Sequence, residues 1–438
     1  MRKRFLILAL LAIPLFCLLA VIVYNLPPVH SRLAWRVQSL ITQIRYTINP
    51  PEQVVFVPQE GSARDDFNAR VEAIVQATLA AAFPTVTPTP LQTEETGPVP
   101  TATPTPQPTP LPGQMMLSGI RHEYQQMNNC GPATLAMALS YWGWSGDQTV
   151  TRAYLRPNHN RVDDKNVMPE EMVAYVETQT GMKALSRVGG DLTVLKGLLA
   201  AGFPVIVEKG FQPHGEAWMG HYALFNGYDD QSGRFTTQDS YVGPNVEVTY
   251  AEMESTWWRD FNYVFVVAYP PEREAEVLSI LGPLADETAA YRLAAERARQ
   301  EIAVLNGRDL FFAWYNLGSS LVGLQEYPAA AEAYDQAFAV YATLPEADRP
   351  WRVLWYQTGP YAAYYHTGRY QDVITLGNQT LDTVGGPILE ESFYWMGLAR
   401  EATGDLEKAI YDFQKAVEIN PDSTPARQEL VRLGVAMP

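Results

Sequence analysis

The chain has 438 residues, 47% of them hydrophobic, which is enough for two or three domains with real cores. Its formal net charge is −16 and its pI about 4.9, so it lacks the basic surface that phosphate contacts require, and nucleic acid is excluded as a partner. Two cysteines, Cys17 and Cys130, rule out a disulfide framework and any metal site built on thiolates.

Residues 5–24 form an uncharged apolar run preceded by Arg2, Lys3 and Arg4. The run matches the roughly 20 residues that span a bilayer and exceeds the apolar core of about 7–15 residues in a cleaved signal. Residues 1–25 are therefore expected to be a transmembrane helix, with the membrane as a partner. A cleaved secretory signal is the alternative. The expected localisation is a single-pass cell-membrane protein whose C-terminal bulk is extracytoplasmic, or a secreted protein if the signal is cut. Residues 26–83 follow as a juxtamembrane segment. Within it, Phe67, Val71, Ile74, Val75 and Leu79 have the spacing of one short amphipathic helix over 64–82.

Residues 84–113 are a linker. Positions 84–112 hold ten prolines and nine threonines, and proline both fixes φ and removes the backbone donor. This composition predicts a stiff extended spacer.

Residues 114–270 read as an α+β domain. Pro132, Leu135, Ala138 and Leu139, with a stop at Gly143, predict a helix over 131–142. Pro169 with Glu170 and Glu171 opens a second, ended by Gly181. Asp191 caps a third, closed by Gly202. Strands are expected over 204–207, 221–228 and 262–269.

Residues 271–438 switch to helical periodicity with a recurring pattern. Trp314, Leu317, Gly318, Ala330, Tyr334 and Ala337 form one copy. Phe393, Met396, Gly397, Gly404, Ala409, Phe413, Ala416 and Pro421 form another at matching offsets. A weaker copy lies around Tyr361, Tyr364, Gly368 and Tyr370, with Pro360 and Val373 departing from it. The positions resemble the tetratricopeptide repeat, in which small residues let two helices cross and large ones fill the space beside them. An all-α repeat solenoid is expected, with a protein partner for the repeats. Tyr361, Tyr364, Tyr365 and Trp395 could equally be packing residues or a binding groove.

The chemistry centres on His122-Glu-Tyr-Gln-Gln-Met-Asn-Asn-Cys130-Gly-Pro. A thiol nucleophile must ionise near neutral pH, and the partial positive charge of a helix N-terminus helps it do so. Cys130 lies just before the predicted helix start. Gln125 offers a side-chain amide to an oxyanion beside the Cys130 backbone N–H, with Gln126 as competitor. The base is expected at His221, in Gly220-His-Tyr at the start of an apolar strand. His214, in the loop signal Gln-Pro-His-Gly, is the rival, and His122 and His159 read as loop or packing residues. Asp239 follows the turn signal Asp229-Asp-Gln-Ser-Gly233, so a hairpin would return it beside His221 to orient the imidazole.

The order Gln, Cys-Gly-Pro, Gly-His-Tyr, Asp-Ser-Tyr resembles the bacteriocin-processing cysteine peptidases, family thirty-nine, nearest to the stand-alone branch that lacks a transporter. The resemblance covers roughly 117–268. It implies a papain-like fold, with Cys130 as nucleophile, His221 as general base and acid, Asp239 as orienting residue and Gln125 as oxyanion donor. It implies a peptide or protein substrate and neither metal nor organic cofactor. No transporter or ATPase segment accompanies it, so cleavage after a double-glycine leader is not implied. The expected function is an anchored extracytoplasmic cysteine peptidase with repeats for protein binding. The alternative is an inactive peptidase fold kept as a peptide-binding or scaffold module.

Overall fold

The computed structural model describes residues 110–157, 166–213, 216–383 and 389–437, with scattered positions between 15 and 58. The amphipathic helix expected over 64–82, and nearly all of the Pro/Thr-rich linker, lie outside the described residues.

The expected transmembrane helix is corrected. Residues 5–14 and 17 of the run lie outside the described residues, and among the described residues no helix is long and apolar enough to cross a membrane. The membrane partner and the single-pass localisation lose their support with it. What the structure does contain is a central sheet domain followed by a C-terminal helical region.

The sheet is antiparallel throughout and has seven strands: β1 (Gln114–Met116), β2 (Lys183–Arg187), β3 (Val205–Phe211), β4 (Met219–Asp229), β5 (Arg234–Asp239), β6 (Gly243–Thr249) and β7 (Phe265–Tyr269). Their order is β2-β7-β3-β4-β5-β6, with β1 paired to the end of β4. Helices cover both faces. On one lie α1 (Cys130–Tyr141), α2 (Gln148–Leu155) and α3 (Pro169–Gln179), and Leu135, Met137 and Met172 pack there on Ile206, Tyr222 and Leu224. On the other, α4 (Leu192–Ala200) and α5 (Glu274–Leu281) set Leu195, Leu199 and Val277 against Val205, Val207 and Phe225. Burial on both faces explains why β3 and β4 are longer than their apolar runs of 204–207 and 221–228 suggest. Even Glu208, Lys209 and Asn226 are interior.

The helical region runs α6 (Glu287–Ile302), α7 (Gly307–Gly323), α8 (Tyr327–Thr343), α9 (Gly359–His366), α10 (Tyr370–Asp382), α11 (Glu390–Ala402), α12 (Leu406–Ile419) and α13 (Thr424–Arg432). The small residues of the pattern mark close crossings. A Cβ at Gly318 would lie 2.8 Å from the Tyr334 ring, and one at Gly397 would lie 2.6 Å from Phe413.

The two regions share a core. Trp218, Phe261 and Val264 of the sheet domain join Phe312, Tyr315 and Tyr334 in one apolar cluster. Polar bonds run along the same boundary: Asn316 Nδ2 donates to Arg259 O (2.8 Å), Asn262 Nδ2 to Ser320 Oγ (3.0 Å) and Gln357 Nε2 to Asp260 O (2.7 Å).

Candidate active site

Helix α1 begins at Cys130 itself, one residue earlier than its Pro132 signal suggests, with Asn129 as N-cap. The thiol therefore sits at the N-terminus of α1, where the helix dipole favours its ionised form. The loop ahead of it turns through Asn128, whose φ is 50°. Two side chains from α2 and its end hold this loop. Arg156 Nη1 donates to the carbonyl oxygens of Met127 (2.9 Å) and Asn128 and to Asn129 Oδ1 (3.2 Å). Gln148 Oε1 accepts from Gln126 N (2.9 Å) and Asn129 Nδ2 (2.8 Å), while its Nε2 donates to Tyr124 O (2.8 Å).

The β4–β5 hairpin pairs Asp229 with Arg234 and Leu224 with Gln238, which returns Asp239 towards the start of β4. His221 Nε2 lies 2.9 Å from Asp239 Oδ1. Phe211 stacks on the imidazole with centroids 4.7 Å apart. Asp239 Oδ1 also accepts from the backbone N–H of Tyr241 (2.9 Å) and Val242 (3.0 Å), which fixes the carboxylate. With Nε2 engaged, Nδ1 is the ring nitrogen left for Cys130, whose sulfur interacts with the His221 side chain and the Tyr222 backbone N–H.

The electrostatics follow from these contacts. Burial alone would raise the Cys130 thiol. The hydrogen bond and charge of His221, the Tyr222 N–H and the charge of Arg156 outweigh it and bring the thiol below its ordinary value. Burial opposes a charged His221, but the Asp239 carboxylate, followed by Cys130, raises it to about 9. Asp239 is buried, yet the charge and hydrogen bond of His221, with Lys209 and the Val242 N–H, hold it well below the usual carboxylate range. This arrangement favours a thiolate–imidazolium pair.

Gln125 is clamped twice by Ser240, the neighbour of Asp239. Its backbone N–H donates to Ser240 O (2.9 Å), and Ser240 Oγ donates to its Oε1 (2.9 Å). That leaves the Nε2 amino group to donate elsewhere. Gln126 faces another way, its side-chain oxygen taken by Arg152. His122 bonds Gln238 (3.2 Å) through Nδ1, and His159 and His214 lie outside the described residues.

Three features of the site escape the sequence reading. Arg156 and Gln148 belong to α2, whose signal was the N-cap Asp147; its side chain accepts from Thr149 N at 2.8 Å. Glu208, opposite Tyr222 in the β3–β4 register, is buried beside Cys130 and pushed well above the usual carboxylate range by that burial. Tyr356, from a helical turn at Val353–Tyr356, accepts a hydrogen bond from the Gly220 backbone N–H. A Cβ at Gly220 would lie 2.9 Å from its ring, so only glycine admits it. Among the described residues no group of three or more His, Cys, Asp or Glu could hold a metal.

Residues 118–265 match the Peptidase_C39 like family, and residues 390–423 match the tetratricopeptide repeat. The chain thus carries a C39-like, peptidase-like fold joined to C-terminal repeats. Among solved structures it is similar to one described as a C39-like peptidase from Bacillus anthracis. That likeness has 16% identity and a TM-score of 0.30, and covers 35% of this chain and 96% of that one. It is also similar to a double glycine motif protease from an AMS/PCAT transporter in complex with the leader peptide. There the identity is 18% and the TM-score 0.27, covering 36% of this chain and 98% of that one. A curated relative, the FK506-binding protein-like protein of Mus musculus, is 31% identical over 113 residues, 26% of this chain. The chain spans about a third (32%) of that relative's length.

Proposed function

We propose that the chain is a cysteine peptidase that hydrolyses peptide bonds through Cys130, His221 and Asp239, with the repeats binding protein segments. The observation that carries this reading is the position of His221, locked to Asp239 through Nε2 with its other nitrogen towards a thiol at a helix N-terminus.

In this mechanism the Cys130 thiolate attacks the carbonyl carbon of the scissile bond. The negative charge moves to the carbonyl oxygen, where the Cys130 N–H and Gln125 Nε2 donate to it. Collapse of the tetrahedral intermediate breaks the C–N bond, and His221 gives its proton to the leaving amine. A water, deprotonated by the now neutral His221, attacks the thioester, releasing the acid and restoring the ion pair. Asp239 keeps the ring oriented and its charge compensated throughout.

The test is the iodoacetamide alkylation rate of Cys130 in the full chain from pH 4 to 10, beside His221→Ala, with mass-spectrometric analysis of a peptide library. An activated thiol reacts already at pH 5–6 and loses that reactivity in the variant. A rate that rises only near pH 8–9, identical in both proteins, with no cleaved peptide, sinks the reading.

A further inference from the structure

Phe56 lies well before β1 in the sequence, yet it is only 4% exposed and belongs to the core of the helical region. Its ring stands edge-on to Phe338 with centroids 4.9 Å apart and is tilted against Tyr364 at 6.0 Å. Val55 is partly buried against the same cluster, while Val57 is 68% exposed. The chain thus sends Val55 and Phe56 onto the cluster and turns Val57 outward. Residues 55–58 form neither helix nor ladder, so side chains rather than a backbone ladder hold them there.

The pocket is built. Phe338 comes from α8 and Tyr364 from α9, the junction between the first and second copies of the repeat pattern. Tyr364 Oη donates to Asp335 Oδ1 at 2.9 Å. Arg369 forks onto the same carboxylate at 2.8 and 2.9 Å and pairs with Asp372 at 2.8 Å. This buried network keeps the Tyr364 ring in place whatever occupies the space beside it.

We propose that the α8–α9 junction is a binding pocket for an extended apolar peptide with an aromatic anchor, and that residues 55–58 of the same chain occupy it in cis. Recognition follows from the sequence Val54-Val-Phe-Val-Pro58: one ring enters, β-branched neighbours favour extension, and the proline disfavours helix at Val57. The occupant belongs to the same chain as the pocket, so it meets the pocket as an intramolecular competitor. A peptide in trans must outcompete that. The proposal does not depend on peptidase activity.

The test is fluorescence anisotropy with a labelled peptide of residues 52–59, titrated into the full chain and into Phe56→Asp, with melts confirming that each is folded. The Phe56→Asp chain is expected to bind at least 10-fold more tightly than wild type, because the tethered competitor is gone. A peptide carrying aspartate in place of its phenylalanine is expected to bind neither chain, and Phe338→Ala in the Phe56→Asp background is expected to abolish binding. Equal affinity for the two chains, tighter binding to wild type, or no binding to either overturns the proposal. So does equal binding of the aspartate peptide.

Discussion

His221 Nε2 and Asp239 Oδ1 are 2.9 Å apart, and the same carboxylate oxygen takes the backbone N–H of Tyr241 and Val242. The imidazole therefore meets a fixed negative charge on one side while Phe211 covers one face. Replacing that charge by a neutral amide removes the main cause that raises His221 to about 9. Asp239→Asn is expected to slow Cys130 alkylation at pH 6 by on the order of 10-fold or more, since one pKa unit is one decade of ionised thiol. At pH 10, where the thiol ionises without help, the variant should approach wild type. Equal rates at pH 6 would mean the carboxylate does not sustain the ion pair.

Glu208 supplies a stability prediction. Its acid stays protonated well above 4.5 because it is buried, whereas in the unfolded chain it ionises near that value. A folded-state pKa above the unfolded one gives stability that is present below the unfolded pKa and is lost as pH rises towards the folded one. Glu208→Gln keeps the shape and a polar contact with Tyr222 without a proton to lose. It should melt higher than wild type at pH 8, with the gap growing by up to about 1.4 kcal/mol per pH unit above 4.5. A gap that is constant between pH 5 and 8 would contradict the buried neutral acid.

Arg156 is buried, and its guanidinium serves three acceptors in the loop that carries Cys130. Arg156→Ala strands those acceptors and removes a charge that lowers the thiol. The expected destabilisation is about 2–3 kcal/mol, read from urea unfolding, together with slower alkylation at pH 6. Lysine keeps the charge but not the fork, so Arg156→Lys should recover the alkylation rate more than the stability. An unchanged unfolding midpoint in Arg156→Ala would refute the bracing role.

The helical region is part of the site's wall. Tyr356 lies on Gly220, next to His221, and Trp218 and Phe261 continue into the helical core. A chain ending at residue 281 should aggregate, because those rings would face water. Tyr356→Ala in the full chain should leave iodoacetamide alkylation within about 2-fold. It should lower peptide kcat/KM by about 10-fold, as expected for losing a hydrogen bond and a ring contact worth roughly 1.4 kcal/mol. A truncated chain that stays monomeric and melts like the full one would show the sheet domain to be independent.

The sequence by itself determined what short windows can hold. Gly131-Pro132 marks a helix beginning at the thiol, Asp229–Gly233 marks the turn that folds β5 back on β4, and Gly318 and Gly397 mark close helix crossings. Each rests on a backbone preference or a spacing of a few residues. The tertiary structure alone decided that Ser240 clamps Gln125, that Arg156 braces the loop before Cys130, and that Glu208 is interior, with burial pushing its acid above the usual carboxylate range. It likewise brought Tyr356 to Gly220 and Phe56 to Phe338, and it overturned the membrane-spanning helix that hydropathy suggested. The reason is physical: these contacts join residues tens to hundreds of positions apart. They depend on which faces of the sheet and helices are packed together, and no local pattern in the chain encodes that.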